Sequence, residues 1–244
     1  ADGTAWMALL TLYMLKIVLA LKLRAKSIHT NDKVEPSGEL VTRFATNFLH
    51  SVSSLNSEEE RGYLNWDAVD GFYYDLLRRP DGTAEFIRVR SLTGIIPLLA
   101  VQSFSSDEVK SEPRLDVDTF IGNYLDVHGI DDFTMSICHL GSYSSGRTLF
   151  SLVSPYRLRK VCRWLFDESE FLSEYGIRSL SKYYEHQKFS MNVAGITATL
   201  NYSPADSPVA MFGGNSNWRG PVWMPINYLL IEALREYYRV LGDK

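Results

Sequence analysis

Polar positions are scarce at the start of the chain. From Ala5 to Leu23 an apolar run is interrupted only by Thr11, Tyr13, Lys16 and Lys22. The run approaches the roughly 20 apolar residues that a bilayer span requires. A helix apolar nearly all round is equally what a large protein buries in its interior, and Lys16 falls inside the stretch. We read it as a buried helix, with Asp2 or Thr4 as its N-cap, and disfavour a membrane span. Ser27 to Gly38 is polar and loop-like, and Glu39 to Leu55 then sets Leu40, Phe44, Phe48, Val52 and Leu55 at helical spacing. The charge run Ser57–Gly62 that follows reads as a solvated loop.

Around Trp66 the pattern changes. Gly71 to Leu77 is aromatic-rich, Pro80-Asp81-Gly82 is a tight turn, and Glu85 to Arg90 alternates with period two. These are the marks of a β-hairpin inserted between helices. Helix is expected again from Leu92 to Phe104, with Pro97 in the first turn or at a kink. Ser105 to Tyr143 has the composition of a surface excursion, with one short helix around Val117 to Val127. Pro155 to Phe166 is amphipathic and basic through Arg157, Arg159, Lys160 and Arg163, which reads as a solvated helix face. A final helix runs from about Pro221 to Val240. Helices separated by long decorated loops suggest a helical toroid, since up-down bundles connect through about 2–8 residues.

Composition narrows the function classes. The 244 residues are 45% hydrophobic and 13% aromatic, enough for a sizeable core in one domain or at most two. Lys and Arg total 25 against 29 Asp and Glu, for a formal charge of -4. No charge block stands out, so nucleic acid is a poor default partner. The two cysteines, Cys138 and Cys162, give neither a disulfide framework nor a zinc module. With no targeting segment evident, they lean towards a reducing, cytoplasmic compartment. The five histidines form no i, i+4 pair, Ser142 to Gly146 lacks the nucleophile-elbow spacing, and no phosphate-binding glycine fingerprint occurs. No metal and no cofactor is expected.

The densest candidate chemistry lies in Phe212 to Tyr228. Gly213-Gly214 is followed by Asn215, Asn217, Trp218, Arg219 and Trp223 ahead of an apolar helix. Sugar rings stack their apolar faces on indole and offer hydroxyl rims to amides and guanidinium, so the mixture suits a carbohydrate subsite. It equally suits a helix start whose tryptophans are core and whose arginine satisfies buried carbonyls. Asp2, with Trp6 one turn on, is a second candidate. A carboxylate at a helix N-terminus is held in its charged form, which makes it a hydroxyl acceptor and a poor general acid. Trp66-Asp67 with Asp70-Gly71 reads as the start of the hairpin. Arg90-Ser91-Leu92-Thr93 and Arg178-Ser179-Leu180-Ser181 repeat a pattern that either caps a helix or sets an arginine against a carboxylate beside a pocket.

Several of these strings resemble one family in order along the chain: Ala1 to Met7, Trp66-Asp67 with Asp70 to Asp75, Val89 to Leu98, Glu174 to Tyr183, and Gly213 to Trp223. They look like the catalytic domain of glycoside hydrolase family 63, of the mannosylglycerate-hydrolase-like and processing α-glucosidase-like type. The resemblance implies an all-α fold, an (α/α)6 toroid of the six-hairpin glycosidase type. It would be present only in part, with a small inserted β-hairpin, and residues 1–244 would be truncated at both ends. It also implies inverting hydrolysis of α-linked glucosides or related sugars by a general acid and base about 6.5–9.5 Å apart. The family's acid precedes a motif like Asp2-Gly3-Thr4 and its base follows the helix after Trp-Arg-Gly-Pro, so both are expected outside this chain.

On that reading Asp2, Trp6, Asn215, Asn217, Trp218, Arg219 and Trp223 line a cleft and orient an oligosaccharide or small glycoside. The remaining segments of the same domain, or a partner chain, would cover apolar faces such as Leu9, Leu12 and Leu19. The alternative is a catalytically inactive carbohydrate-binding or scaffold relic of the same fold.

Overall fold

The opening apolar run forms the longest helix of the computed structural model, which describes residues 2–27, 38–56, 64–112, 115, 117–128, 139–142, 146–193, 195–204 and 218–242. Helices α1 (Asp2–Ser27) and α2 (Gly38–Asn56) come first, followed by strands β1 (Trp66–Asp67), β2 (Phe72–Tyr73), β3 (Asp75–Arg78) and β4 (Ala84–Ile87). The 3-10 turns Leu92–Gly94 and Ile96–Leu99 lead into β5 (Val101–Ser105) and the short α3 (Ser106–Lys110). Next come α4 (Val117–His128), β6 (His139–Ser142), β7 (Arg147–Ser151) and α5 (Pro155–Leu165). Strands β8 (Leu172–Ser173) and β9 (Gly176–Ile177), a 3-10 turn Lys182–Glu185, and β10 (Phe189–Val193) with β11 (Ile196–Leu200) precede α6 (Met224–Leu241).

The main helices lie where the apolar spacing places them. Strand content exceeds the single expected hairpin, because the described residues form five small antiparallel sheets. The expected helix from Leu92 to Phe104 is replaced by two 3-10 turns and β5, which pairs with β7 from Val101↔Ser151 to Ser105↔Arg147. Pro97 lacks an N–H, and Val101 to Phe104 are all buried, so no alternation betrays the strand.

The chain divides into two compact units. The first comprises Ala1–Leu64, Ile96–Pro155 and Glu232–Lys244; the second comprises Asn65–Ile95 and Tyr156–Ile231. In the first unit α1 buries Ala5, Ala8, Leu9, Leu12, Leu15, Val18 and Leu19, and α2 buries Val41, Ala45, Phe48, Leu49, Val52 and Leu55. The buried face of α2 is thus rotated from the one anticipated, with Leu40 and Phe44 only half-buried. The sheet β5–β7–β6 adds Phe104 and Phe150, whose rings meet edge-on at 5.3 Å, while Phe48 stacks on Phe150 at 6.0 Å. Such aromatic pairs contribute about 0.5–1.5 kcal/mol beyond area burial.

The polar interruptions of α1 have protein partners. Lys16 Nζ donates to the Ser103 carbonyl at 2.7 Å and lies 2.8 Å from Glu108, and Lys22 lies 3.1 Å from Glu112. By length and hydropathy α1 could cross a membrane, yet paired lysines are what a helix inside a protein needs. Leu9, Leu12 and Leu19, expected to lack partners, are buried; the apolar side chains left exposed are Met7, Leu10, Met14, Ile17 and Leu21 on another face.

The second unit packs short hairpins against α5 and the first turns of α6. Its core includes Trp66, Phe72, Tyr73, Tyr74, Val161, Leu165, Phe171 and Leu180. Of the basic residues on α5, Arg159 and Arg163 face solvent as expected, but Arg157 is buried. Its guanidinium sits 4.7 Å from the Trp66 ring and donates to Tyr73 Oη at 3.3 Å, so an indole and a phenol replace water around it.

Candidate functional site

The segment that begins at Trp218 is held in place by the second Arg-Ser-Leu-Ser string. Arg178 bridges Val222, Ser179 N donates to the Pro221 carbonyl at 3.1 Å, and Gly220 N donates to Ser179 Oγ at 2.8 Å. Gly220 has φ +134°, and a Cβ there would fall 2.4 Å from Tyr202 Cε2, so only glycine allows this approach. Asn227, in the first turns of α6, ties the same place together. Its Oδ1 accepts from Ile177 N at 2.7 Å, and its Nδ2 donates to the carbonyls of Ile177 and Trp223 at 3.0 and 3.1 Å.

This scaffold sets the Trp218 and Trp223 rings edge-on at 5.1 Å and 78°, both half-exposed, with Arg219 wholly buried between them in sequence. Trp218, Arg219 and Trp223 are therefore neighbours in the second unit. Asp2 and Trp6, both half-buried, belong to the first unit, where Asp2 opens α1 and accepts from Gly3 N at 2.7 Å. Asn215 and Asn217 lie outside the described residues.

The two Arg-Ser-Leu strings face each other: Ser91 bridges Leu180, Leu92 N donates to the Ser179 carbonyl at 2.9 Å, and Ser181 N to the Arg90 carbonyl at 3.0 Å. Both readings of the pattern are realised. Ser181 caps the turn at Lys182 by accepting from Tyr183 N, and Arg90 makes a bidentate pair with Glu170 at 2.9 and 2.8 Å. Glu170 also accepts from Ser181 Oγ. The Arg90 guanidinium is packed 4.6 Å from the Trp164 ring and 4.7 Å from the Tyr183 ring. Burial alone would lower its pKa, but the hydrogen-bonded Glu170 carboxylate raises it, so the cation is permanent.

Beside it, Arg88 joins Asp67 at 2.6 Å and Asp70 at 3.0 Å, and Tyr74 Oη donates to Asp70 at 2.9 Å. Burial, reinforced by the Asp70 carboxylate, pushes the Tyr74 phenol well above its ordinary range. Gly71 turns the chain with φ +65°, as expected for the start of the hairpin. Among the described residues no group of three or more His, Cys, Asp or Glu converges as a metal ligand set.

Comparison with known proteins bears directly on this geometry. Residues 144–241 match the family of the mannosylglycerate hydrolase MGH1-like glycoside hydrolase domain. That range holds Glu170, both ends of the Ser179–Gly220 contact, the tryptophan pair and Asn227. These residues all lie within the segment that is similar to a glycoside hydrolase domain. An uncharacterized protein of Saccharomyces cerevisiae is 37% identical over 256 residues, covering 100% of this chain and 22% of its own length. The mannosyl-oligosaccharide glucosidase of the same yeast is 31% identical over 112 residues, covering 44% of this chain and 10% of its own. A probable mannosyl-oligosaccharide glucosidase of Schizosaccharomyces pombe is 29% identical over 109 residues, with the same two shares of 44% and 10%. The chain thus spans less than a quarter of the length of each of these relatives.

Within the matched segment, Asn227 and Glu170 are polar anchors that the sequence pattern did not single out. Asn227 carries a faint signal, an amide inside an apolar helix four residues after Trp223. Glu170 carries none, because its partner Arg90 is 80 positions away in sequence.

Proposed function

We propose that this chain forms the substrate-contacting part of an (α/α)6 glycosidase toroid that hydrolyses α-linked glucosides or related sugars with inversion. Trp218 and Trp223 offer indole surface to a sugar ring, the buried Arg219 is the guanidinium of the same cluster, and Asp2, Trp6, Asn215 and Asn217 accept or donate to hydroxyls. The general acid and base come from other parts of the polypeptide. One observation carries the reading: the edge-to-face tryptophan pair, half-exposed and rigidly anchored, falls inside the segment matched by the glycoside hydrolase family. Aromatic rings fixed before the ligand arrives lose little entropy on binding it.

Two exposed apolar stripes support the incomplete toroid. Met7, Leu10, Met14, Ile17 and Leu21 follow one another at three- and four-residue steps on α1, and Met224, Tyr228 and Ile231 do so on α6. Stripes with this spacing are made to meet another helix, and the proposed occupants are further helices of the same domain.

The full-length protein is the material for the test. It is incubated with α-linked gluco-disaccharides, with glucosylated mannosyl-oligosaccharides and with mannosylglycerate, and the first-formed anomer is read by NMR. Release of a sugar with the anomeric configuration opposite to that of the substrate is expected. Trp223→Ala should lower kcat/KM about a hundredfold, equivalent to about 2.7 kcal/mol of transition-state stabilisation. Retention of configuration would refute inversion, and sugar binding without any hydrolysis would favour the inactive binding or scaffold relic.

A further inference from the structure

We infer a saccharide-binding surface for at least two linked sugar units, centred on Tyr183 and sharing no residue with the Trp218–Arg219–Trp223 cluster. It rests on the saccharide class proposed above. Two hollows of about 300 and about 350 Å³ share Tyr183 and Gln187. The first is bounded by Asp70, Arg88, Arg90 and the Lys188–Ser190 stretch, and the second by Glu170, Lys182, Glu185 and His186. Each lies at the small end of ligand-pocket volumes, about 300–1,000 Å³, so one pyranose in each is a better fit than one large ligand across both.

The shared wall is a rigid ring. Tyr183 is 46% exposed, yet Arg90 lies 4.7 Å from its centroid and Tyr184 meets it edge-on at 5.3 Å and 86°. Tyr184 is fixed in turn, its Oη donating to the Arg88 carbonyl and accepting from Arg90 N, each at 3.0 Å. A ring held this way is a stacking platform that costs little to organise.

The charges around it choose the ligand. Arg88, Arg90 and Lys188 are matched by Asp67, Asp70 and Glu170, and the arginines are already engaged with those carboxylates. Such a surface has no net field with which to hold an ion. It does have fixed donors and acceptors in many directions beside aromatic surface from Tyr183 and Phe189. A neutral polyhydroxylated ring with apolar faces matches both features, whereas a phosphate or a purely apolar ligand matches only one.

The test uses the full-length protein and a sulfur-linked α-glucosyl tetrasaccharide, which resists cleavage, with affinity read by titration calorimetry. Tyr183→Ala should weaken binding about tenfold or more, whereas Tyr183→Phe should stay within about twofold of wild type. Exposed Gln187→Ala, a mild change, should also weaken binding and serves if Tyr183→Ala fails to fold. Hydrogen exchange in the peptide spanning Lys182 to Ser190 should slow on ligand addition. Wild-type affinity in both alanine variants, or no binding at all, would overturn the inference. Hydrolysis with Tyr183-independent binding would refute this surface and spare the proposed function; Tyr183-dependent binding without hydrolysis would do the reverse.

Discussion

Glu170 is the sharpest point at which to test the architecture of the second unit. Its carboxylate accepts from Arg90 Nε at 2.9 Å and from Arg90 Nη2 at 2.8 Å, and the Arg90 and Glu170 side chains are only 14% and 8% exposed. Glu170→Ala leaves the Arg90 cation among Trp164, Tyr183 and Tyr184 without its counter-charge. Breaking a buried pair by removing one partner costs about 3–5 kcal/mol. The residual exposure of Arg90 lets water return some of this, so about 3 kcal/mol is the expectation. At about 2–4 °C per kcal/mol for a domain of this size, the melting transition should fall by about 6–12 °C. Thermal unfolding of the full-length protein, followed by near-ultraviolet circular dichroism, measures it. Glu170→Gln should fall between wild type and Glu170→Ala, because it retains an acceptor. The double variant Arg90→Met with Glu170→Leu should be less destabilised than Glu170→Leu alone, since neither charge is then stranded. A loss below about 1 kcal/mol for Glu170→Ala, or strict additivity in the double variant, would refute the reasoning.

Other expectations follow from single contacts. Gly94→Ala would set a Cβ 2.2 Å from Phe72 Cε1 and 2.3 Å from the Tyr73 carbonyl oxygen, so it should destabilise by about 1–3 kcal/mol in urea unfolding. The Glu108 carboxyl is lowered below its ordinary 4.5: burial opposes this, but the Lys16 hydrogen bond and the Ser105 amide override it. The folded state therefore binds a proton less readily than the unfolded chain. The advantage of wild type over Glu108→Gln should be full above pH 4.5 and vanish as pH falls through the lowered value. Burial pushes the Cys162 thiol up to about 11, so in a Cys138→Ala background iodoacetamide should label it at pH 8 far more slowly than an unstructured thiol. Glutamates in place of the exposed Leu10 and Ile17 should raise the solubility of the 244-residue chain and reduce its self-association, read by sedimentation.

How much of this was legible follows from where the information resides. Helices α1, α2, α4, α5 and α6 announce themselves because apolar spacing acts locally along a chain. The hairpin at Pro80-Asp81-Gly82 does so because turn chemistry is local too. Strand β5 did not, since a strand buried at four successive positions has no alternation, and its partner β7 lies more than 40 residues on. Likewise the sequence placed a tryptophan–arginine cluster in one short segment but gave only a faint hint of Asn227's role in anchoring it.

What the residues determined unaided was the presence of long apolar helices, a near-neutral charge balance and the concentration of indole, amide and guanidinium around Trp218. Tertiary structure alone decided which face of α1 is covered, that Arg157 turns inward onto Trp66, and that Arg90 finds Glu170. The physical reason is the same in each case. Spacing fixes which side chains share a face, but only packing against distant segments fixes whether that face meets protein or water, and whether a charge there meets its opposite.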